Sequence, residues 1–216
     1  MMAADQGSWG AQEGGGLVDV LNNISRLDHQ YLERSLAEIS PDFYVLAAEM
    51  DYSDEYIPAP DALSQLLDAL SQYFHYVVVD VPTRTGGLVE SILTRTNIVC
   101  LLADPSVHSA RTLSRLTRHI ESRPNPPTVL AVLNHPWAPV RNQVQDADFQ
   151  EVTGHSIRAT IVHDAKGPSL AENLGQALPD SCEFSHGIQA LAGLVTGEAT
   201  VQQAEPWWKR IAKGKK

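Results

Sequence analysis

Apolar residues in this chain come in two spacings. Short runs occur at Phe43 to Ala48, Tyr76 to Val79, Ile98 to Ala103 and Thr128 to Leu133, with a last one at Ile157 to Val162 interrupted by Arg158 and Thr160. They are rich in β-branched residues and too short for helices. Between them, apolar residues recur every three or four positions. Leu63, Leu66, Leu67 and Leu70 make one such stripe, and Ala110, Leu113, Leu116 and Ile120 make another. Leu17, Val18, Val20 and Leu21 predict a short helix, and Leu32, Leu36 and Ile39 a second one entered near Asp28. Further helices are expected over 85–95, 146–153, 169–177 and 184–194. Unbroken runs suit strands buried on both faces. Their alternation with helices predicts an α/β fold, a parallel doubly wound sheet with helices on both faces.

The run that organises the rest is Phe74 to Arg84, which contains Tyr-Val-Val-Val-Asp-Val-Pro. Pro82 has no N–H to give a ladder, so the strand should stop near Asp80. A carboxylate then stands at the carboxyl end of a central strand, where open α/β sheets bind ligands. Asp80 admits two readings of equal weight. One is the magnesium-holding aspartate of P-loop proteins; the other is a cap for the turn that follows. Asn134 closes the run from Thr128 to Leu133, and Asp164 lies in the Val162 to Lys166 loop after the last run. An asparagine offers the donor and acceptor that a purine edge needs. Its plainer reading is a turn residue before His135-Pro136, and Asp164 reads equally well as a cap.

Charge changes the picture. The 216 residues carry a net −10, yet residues 205–216 hold five basic residues against one acid. The tail is therefore +4 and the other 204 residues −14. Such a body should repel nucleic acid while the tail is drawn to anionic surfaces. Arg111, Arg115 and Arg118 form a smaller basic stripe opposite an apolar helix face, read first as solvated and second as a protein contact. Cys100 and Cys182 lack metal-type spacing, and the eight histidines are scattered. No catalytic triad pattern stands out. With no signal-peptide pattern and no membrane-length apolar run, the expected location is the cytoplasm or the inner-membrane periphery.

The Tyr-Val-Val-Val-Asp-Val-Pro strand, the Val-Leu-Asn strand end and the Val-His-Asp-Ala-Lys loop followed by Ala-Glu-Asn-Leu-Gly-Gln-Ala-Leu come in a familiar order. From about Gly15 to Leu194 the chain resembles the MinD/ParA group of deviant Walker ATPases, and most closely the CpaE/TadZ branch associated with Flp (Tad) pilus assembly. The resemblance implies a P-loop NTPase-like fold with ATP and magnesium as cofactors. By it, Asp80 matches the Walker B aspartate, holding magnesium through water. Pro82 and Thr83 would lie in the switch region, Asn134 would contact adenine, and Asp164 would border the base. It also implies partners in the pilus and type II–IV secretion machinery, and a homodimer.

Members of that group open with a strand and a Gly-rich phosphate loop bearing two lysines. Residues 1–16 show no such pattern and read as a flexible leader. The nucleotide site is therefore expected to be degenerate or truncated, with Asp80 and Asn134 as remnants and no catalysis by this chain alone. The absent strand would lie beside the Walker B strand, leaving an apolar edge open. Residues 17–196 are expected to form the α/β domain and 197–216 a linker and tail. If Pro206 starts a helix, Trp207, Trp208 and Ile211 share one face, with Lys209 and Arg210 on the other. That arrangement suits a weak peripheral membrane anchor; a solvated basic tail fits the residues almost as well. Three functions remain open: a pilus localisation factor, a MinD/ParA-like ATPase for septum or chromosome positioning recorded as a fragment, and a nucleotide-independent scaffold.

Overall fold

The computed structural model describes residues 16–48, 56, 58–59, 61–81, 86–138, 144 and 146–198. They fall into two compact units, divided between Thr96 and Asn97.

In the first unit, α1 (Leu17–Asn22), α2 (His29–Ser35), α3 (Ala62–Tyr73) and α4 (Gly87–Arg95) supply the core. Val20, Leu21, Leu32, Leu66 and Ile92 are buried together there. Asp28 starts α2 as the spacing predicts, its carboxylate accepting from the Tyr31 N–H at 2.8 Å. The expected continuation of that helix through Ile39 does not occur. Leu36 takes extended dihedrals, and Ala37–Ser40 forms β1, paired antiparallel with β2 (Phe43–Val45). A two-residue turn joins them, with Asp42 at φ 65°, a left-handed value that aspartate tolerates. Leu32, Leu36 and Ile39 mimic a helical stripe because the hairpin's own ladder satisfies the backbone that a helix would otherwise have served. The strand expected over 43–48 is correspondingly short.

A larger correction concerns the run expected to be the buried central strand. Residues 74–81 join no ladder among the described residues. Phe74 and Val81 pack on the core of the unit at either end, yet Val78 between them is 92% exposed. β-Propensity measures fit to a pleated, half-buried surface, and it makes no strand where no neighbouring strand is supplied.

The second unit matches its expected elements closely. β3 (Ile98–Ala103), β4 (Thr128–Asn134) and β5 (Ile157–Ile161) form a parallel sheet in the order β3-β4-β5, with Ala103 opposite Leu133 and Asn134 opposite Ile161. Helices α5 (Val107–Glu121), α6 (Asp146–Thr153), α7 (Gly167–Leu174) and α8 (Glu183–Thr196) follow the strands. Alternation along β4 sends Ala131 and Leu133 into a cluster with Leu113 of α5 and Phe149 of α6. Val132 points the other way, joining Ala159 and Ile161 beneath Phe184 and Leu191 of α8. Both faces of the sheet are covered, so the fold is α/β with a parallel sheet flanked by helices.

Helix α8 sits unusually close to β5 at Gly187. A Cβ there would lie 2.9 Å from the Ile161 Cα and 3.0 Å from the Thr160 carbonyl oxygen, both backbone atoms that cannot swing aside.

Two substitutions test this packing. Gly187→Ala should destabilise the protein by about 1–3 kcal/mol in urea denaturation, although alanine favours an isolated helix. Val78→Ser should change stability by less than about 0.5 kcal/mol, as an exposed site requires; a loss of about 2 kcal/mol would place Val78 in a core.

Candidate functional site

The polar residues that end the strands of the second unit gather along one rim. Because the middle of β4 is buried on both faces, its polar side chains fall at its ends, Thr128 at the start and Asn134 at the carboxyl end. Its Oδ1 atom is buried and has no hydrogen-bond partner among the described residues. A turn residue would spend its side chain on nearby backbone; Asn134 leaves its acceptor open. The chain beyond it is fixed by the His135 N–H, which donates to the Ile161 carbonyl at 2.9 Å. The His135 ring nitrogen Nε2 also lies 3.5 Å from the Asp146 carboxylate at the start of α6.

Next to Asn134 the sheet places a residue that the sequence reading passed over. Ala103 pairs with Leu133, so Asp104 follows β3 where Asn134 ends β4. Asp104 Oδ1 is likewise buried, without a partner among the described residues. A signal for it exists in the sequence. Asp80-Val81-Pro82, Asp104-Pro105 and Asn134-His135-Pro136 are all apolar runs closed by an Asp or Asn just ahead of a proline.

Asp164 stands on the same rim, shortly after β5, and does something different. Its Oδ1 accepts from the Gly167 N–H at 2.8 Å and from the Lys166 N–H at 3.0 Å. These two backbone donors, Gly167 first, hold its carboxyl below the usual carboxylate range, with smaller help from His163 and Cys182. Gly167 is needed beside it, since a Cβ would come within 3.0 Å of Asp164 Oδ2 and 3.2 Å of the Cys182 Cβ. In this geometry Asp164 shapes the loop that leads into α7.

Asp80 belongs to the first unit, exposed near the end of the unpaired segment. Pro82 and Thr83 lie outside the described residues, as do Trp207, Trp208, Lys209, Arg210 and Ile211. Among the described residues, no group of His, Cys, Asp and Glu is arranged to hold a metal ion, and no helix is long and apolar enough to cross a membrane. A cavity of about 170 Å³ lined by Thr117, Glu121, Val129, His155 and Arg158 lies near the start of β4, at the opposite end from the rim.

Chemically, the rim presents a carboxylate oxygen and an amide oxygen, both desolvated and both acceptors. Unsatisfied buried acceptors are costly, and a ligand carrying N–H or O–H donors would satisfy them. Amino and hydroxyl groups are donors of that kind.

The arrangement has relatives among solved structures. A ParA family ATPase from Chlorobium tepidum TLS superposes with a TM-score of 0.73 at 20% identity, covering 87% of this chain and 78% of that one. The septum site-determining protein MinD of Pyrococcus horikoshii OT3, solved in complex with Mg-ADP, gives 0.67 at 16% identity over 91% and 79%. The MinC:MinD cell division complex of Aquifex aeolicus gives 0.66 at 17% identity over 85% and 74%. The fold is the one these ATPases share. No family model matches the chain, and no curated protein matches it by sequence.

The Asp164 turn gives a pH prediction. A carboxyl whose folded pKa is depressed contributes stability above its unfolded value, near 3.9, and loses it as pH falls through the lower folded value. Carboxyl-detected NMR should therefore give Asp164 a midpoint below about 3.9, with the protection of the Lys166 and Gly167 amides, relative to their intrinsic exchange rates, falling only as pH drops through that midpoint. A midpoint at or above the ordinary value would mean that the two N–H bonds do not form in solution.

Proposed function

We propose that this chain is a MinD/ParA-type localisation factor serving Flp/Tad pilus assembly, and that its nucleotide site keeps the base-recognising end while the phosphate end is degenerate. The observation that carries the base end is the buried, unpartnered Oδ1 of Asn134 at the carboxyl end of β4. An adenine edge offers an amino donor to that oxygen and ring acceptors to the Asn134 amide N–H groups. The Asp104 carboxylate beside it would accept from a ribose hydroxyl or an exocyclic amine, and would repel a phosphate. ATP and magnesium are supported as the ligand class by the Mg-ADP held by the P. horikoshii MinD. Asp80 would hold the magnesium through water, with Pro82 and Thr83 after it and Asp164 shaping the loop that borders the base.

The phosphate end is proposed to be weak on chemical grounds. Phosphate loops combine backbone N–H groups with a lysine, whereas the open atoms of this rim, Asn134 Oδ1 and Asp104 Oδ1, are acceptors. The pilus assignment rests on the order of the strand-end motifs. Its expected partners are pilus and secretion-machinery proteins and a second copy of the chain. That the A. aeolicus MinD was solved with MinC supports partner binding as the way such a fold acts. The basic tail with Trp207 and Trp208 would add a peripheral hold on an anionic membrane.

One observation favours a second reading, a scaffold that works without nucleotide. Tyr76 to Val79 are apolar, exposed and without a ladder partner among the described residues. A segment of that kind is a template for a partner's strand.

Calorimetric titration with adenosine, ADP and Mg-ATP separates these readings. The proposal expects weak binding of all three within a few-fold of one another, little magnesium dependence, and a loss of about tenfold in Asn134→Ala. Mg-ATP bound far more tightly than adenosine would show a working phosphate site and overturn the degenerate reading. No binding of any of the three would leave the scaffold.

A further inference from the structure

Helix α5 carries a second surface that the nucleotide rim does not use. Ala110, Leu113, Thr117 and Ile120 are buried and face the sheet. Arg111, Arg115 and Arg118 are exposed on the opposite face. Their spacing of four and then three residues puts them in one row along the helix, spanning about 10 Å at 1.5 Å per residue. None of the three side chains has an ion pair, hydrogen bond or ring contact among the described residues.

Three features distinguish this row from an ordinary solvated face. First, the residues three and four positions from each arginine are Val107, His108, Ser114, Ser122, Thr112, His119 and the arginines themselves, with Glu121 the only acid. Glu121 continues the row three positions after Arg118, makes no ion pair with it among the described residues, and lines the cavity beside Thr117. Three guanidinium groups therefore face a single carboxylate along the helix. Second, like charges at these spacings repel, and only Arg118, in the last turn, gains from the helix dipole in return. Third, the row stands on an acidic protein of net −10, where most surface charge has the other sign.

We infer that the arginine row of α5 docks an acidic helical segment of a partner protein, one with carboxylates at matching spacings of four and three residues. Guanidinium groups pair with carboxylates through two parallel hydrogen bonds, which makes the match geometric as well as electrostatic. A straight row of this length fits a helix lying alongside better than it fits a point anion. Long polyanions are the weaker fit. Duplex DNA extends well beyond the row and would meet the acidic remainder of the chain, which repels it at ranges near the Debye length.

The test uses the full chain and four probes. The first is an alanine-based helical peptide with three glutamates spaced by four and then three residues. The second is the same composition with the glutamates spread around the helix. The third is a short DNA duplex, and the fourth is vesicles containing phosphatidylglycerol. Fluorescence anisotropy or sedimentation should show the row-matched peptide bound at least tenfold more tightly than the spread one, with binding weakened as salt rises. Arg111→Gln, Arg115→Gln and Arg118→Gln combined should remove that preference while leaving the circular dichroism spectrum and the thermal midpoint unchanged, because all three sites are exposed. Equal binding of the two peptides would overturn the proposal, as would an undiminished preference in the triple variant. So would DNA or vesicles that compete the matched peptide off through the same three arginines.

Discussion

The second unit depends on one constraint: a short parallel ladder whose middle strand is covered on both sides. Val132 and Leu133 are adjacent in β4, point to opposite faces and are both wholly buried. A strand in that position has no room for a polar side chain along its length. Polar chemistry is pushed to the strand ends, and parallel register brings those ends together. Asp104 and Asn134 are neighbours on the rim for that reason, although thirty positions of sequence and a helix separate them. The same covering requires close approach of α8, which explains why Gly187 has no side chain where it crosses the Ile161 backbone.

Three strand-end residues that look alike in sequence turn out to have different physical situations. Asp164 is engaged by the N–H groups of Lys166 and Gly167, and its charge is used in holding a turn. Asn134 and Asp104 have desolvated acceptors with no donor among the described residues. The first kind is finished structure, and the second leaves hydrogen-bonding capacity unused. Open α/β sheets bind their ligands at the carboxyl ends of the strands, which is the rim these two atoms occupy. The chemistry here favours a base or sugar over a phosphate, since both open atoms are acceptors.

The first unit is organised by leucines of one amphipathic helix, α3, with α1, α2 and α4 packed around them. It shows what local pattern alone does not achieve. Tyr76 to Val79 have the composition of a buried strand, and the ends of the segment are anchored through Phe74 and Val81. The middle stays exposed because sheet formation is a property of pairs of strands. Leu32, Leu36 and Ile39 show the converse case: a helical spacing was overruled when a hairpin turn at Asp42 offered the backbone another set of partners.

From sequence alone the fold class could be read, together with the bounds of β3, β4 and α6 and the presence of two closing helices. Each is specified by its own short-range pattern, a β-branched run or a stripe at helical spacing. The placement of Asn134 and Asp164 at strand ends was legible in the same way, because a polar residue closing an apolar run has few places to go. Which of them keeps a free acceptor was not legible. That depends on whether neighbouring N–H groups happen to lie within 3 Å or so, which is decided by how loops from different strands fold over one another. The pairing of Asp104 with Asn134, the exposure of Val78 and the hairpin at Ile39 were likewise decided only in three dimensions. In each case the deciding partner is remote in sequence or is a backbone group that carries no residue-specific mark.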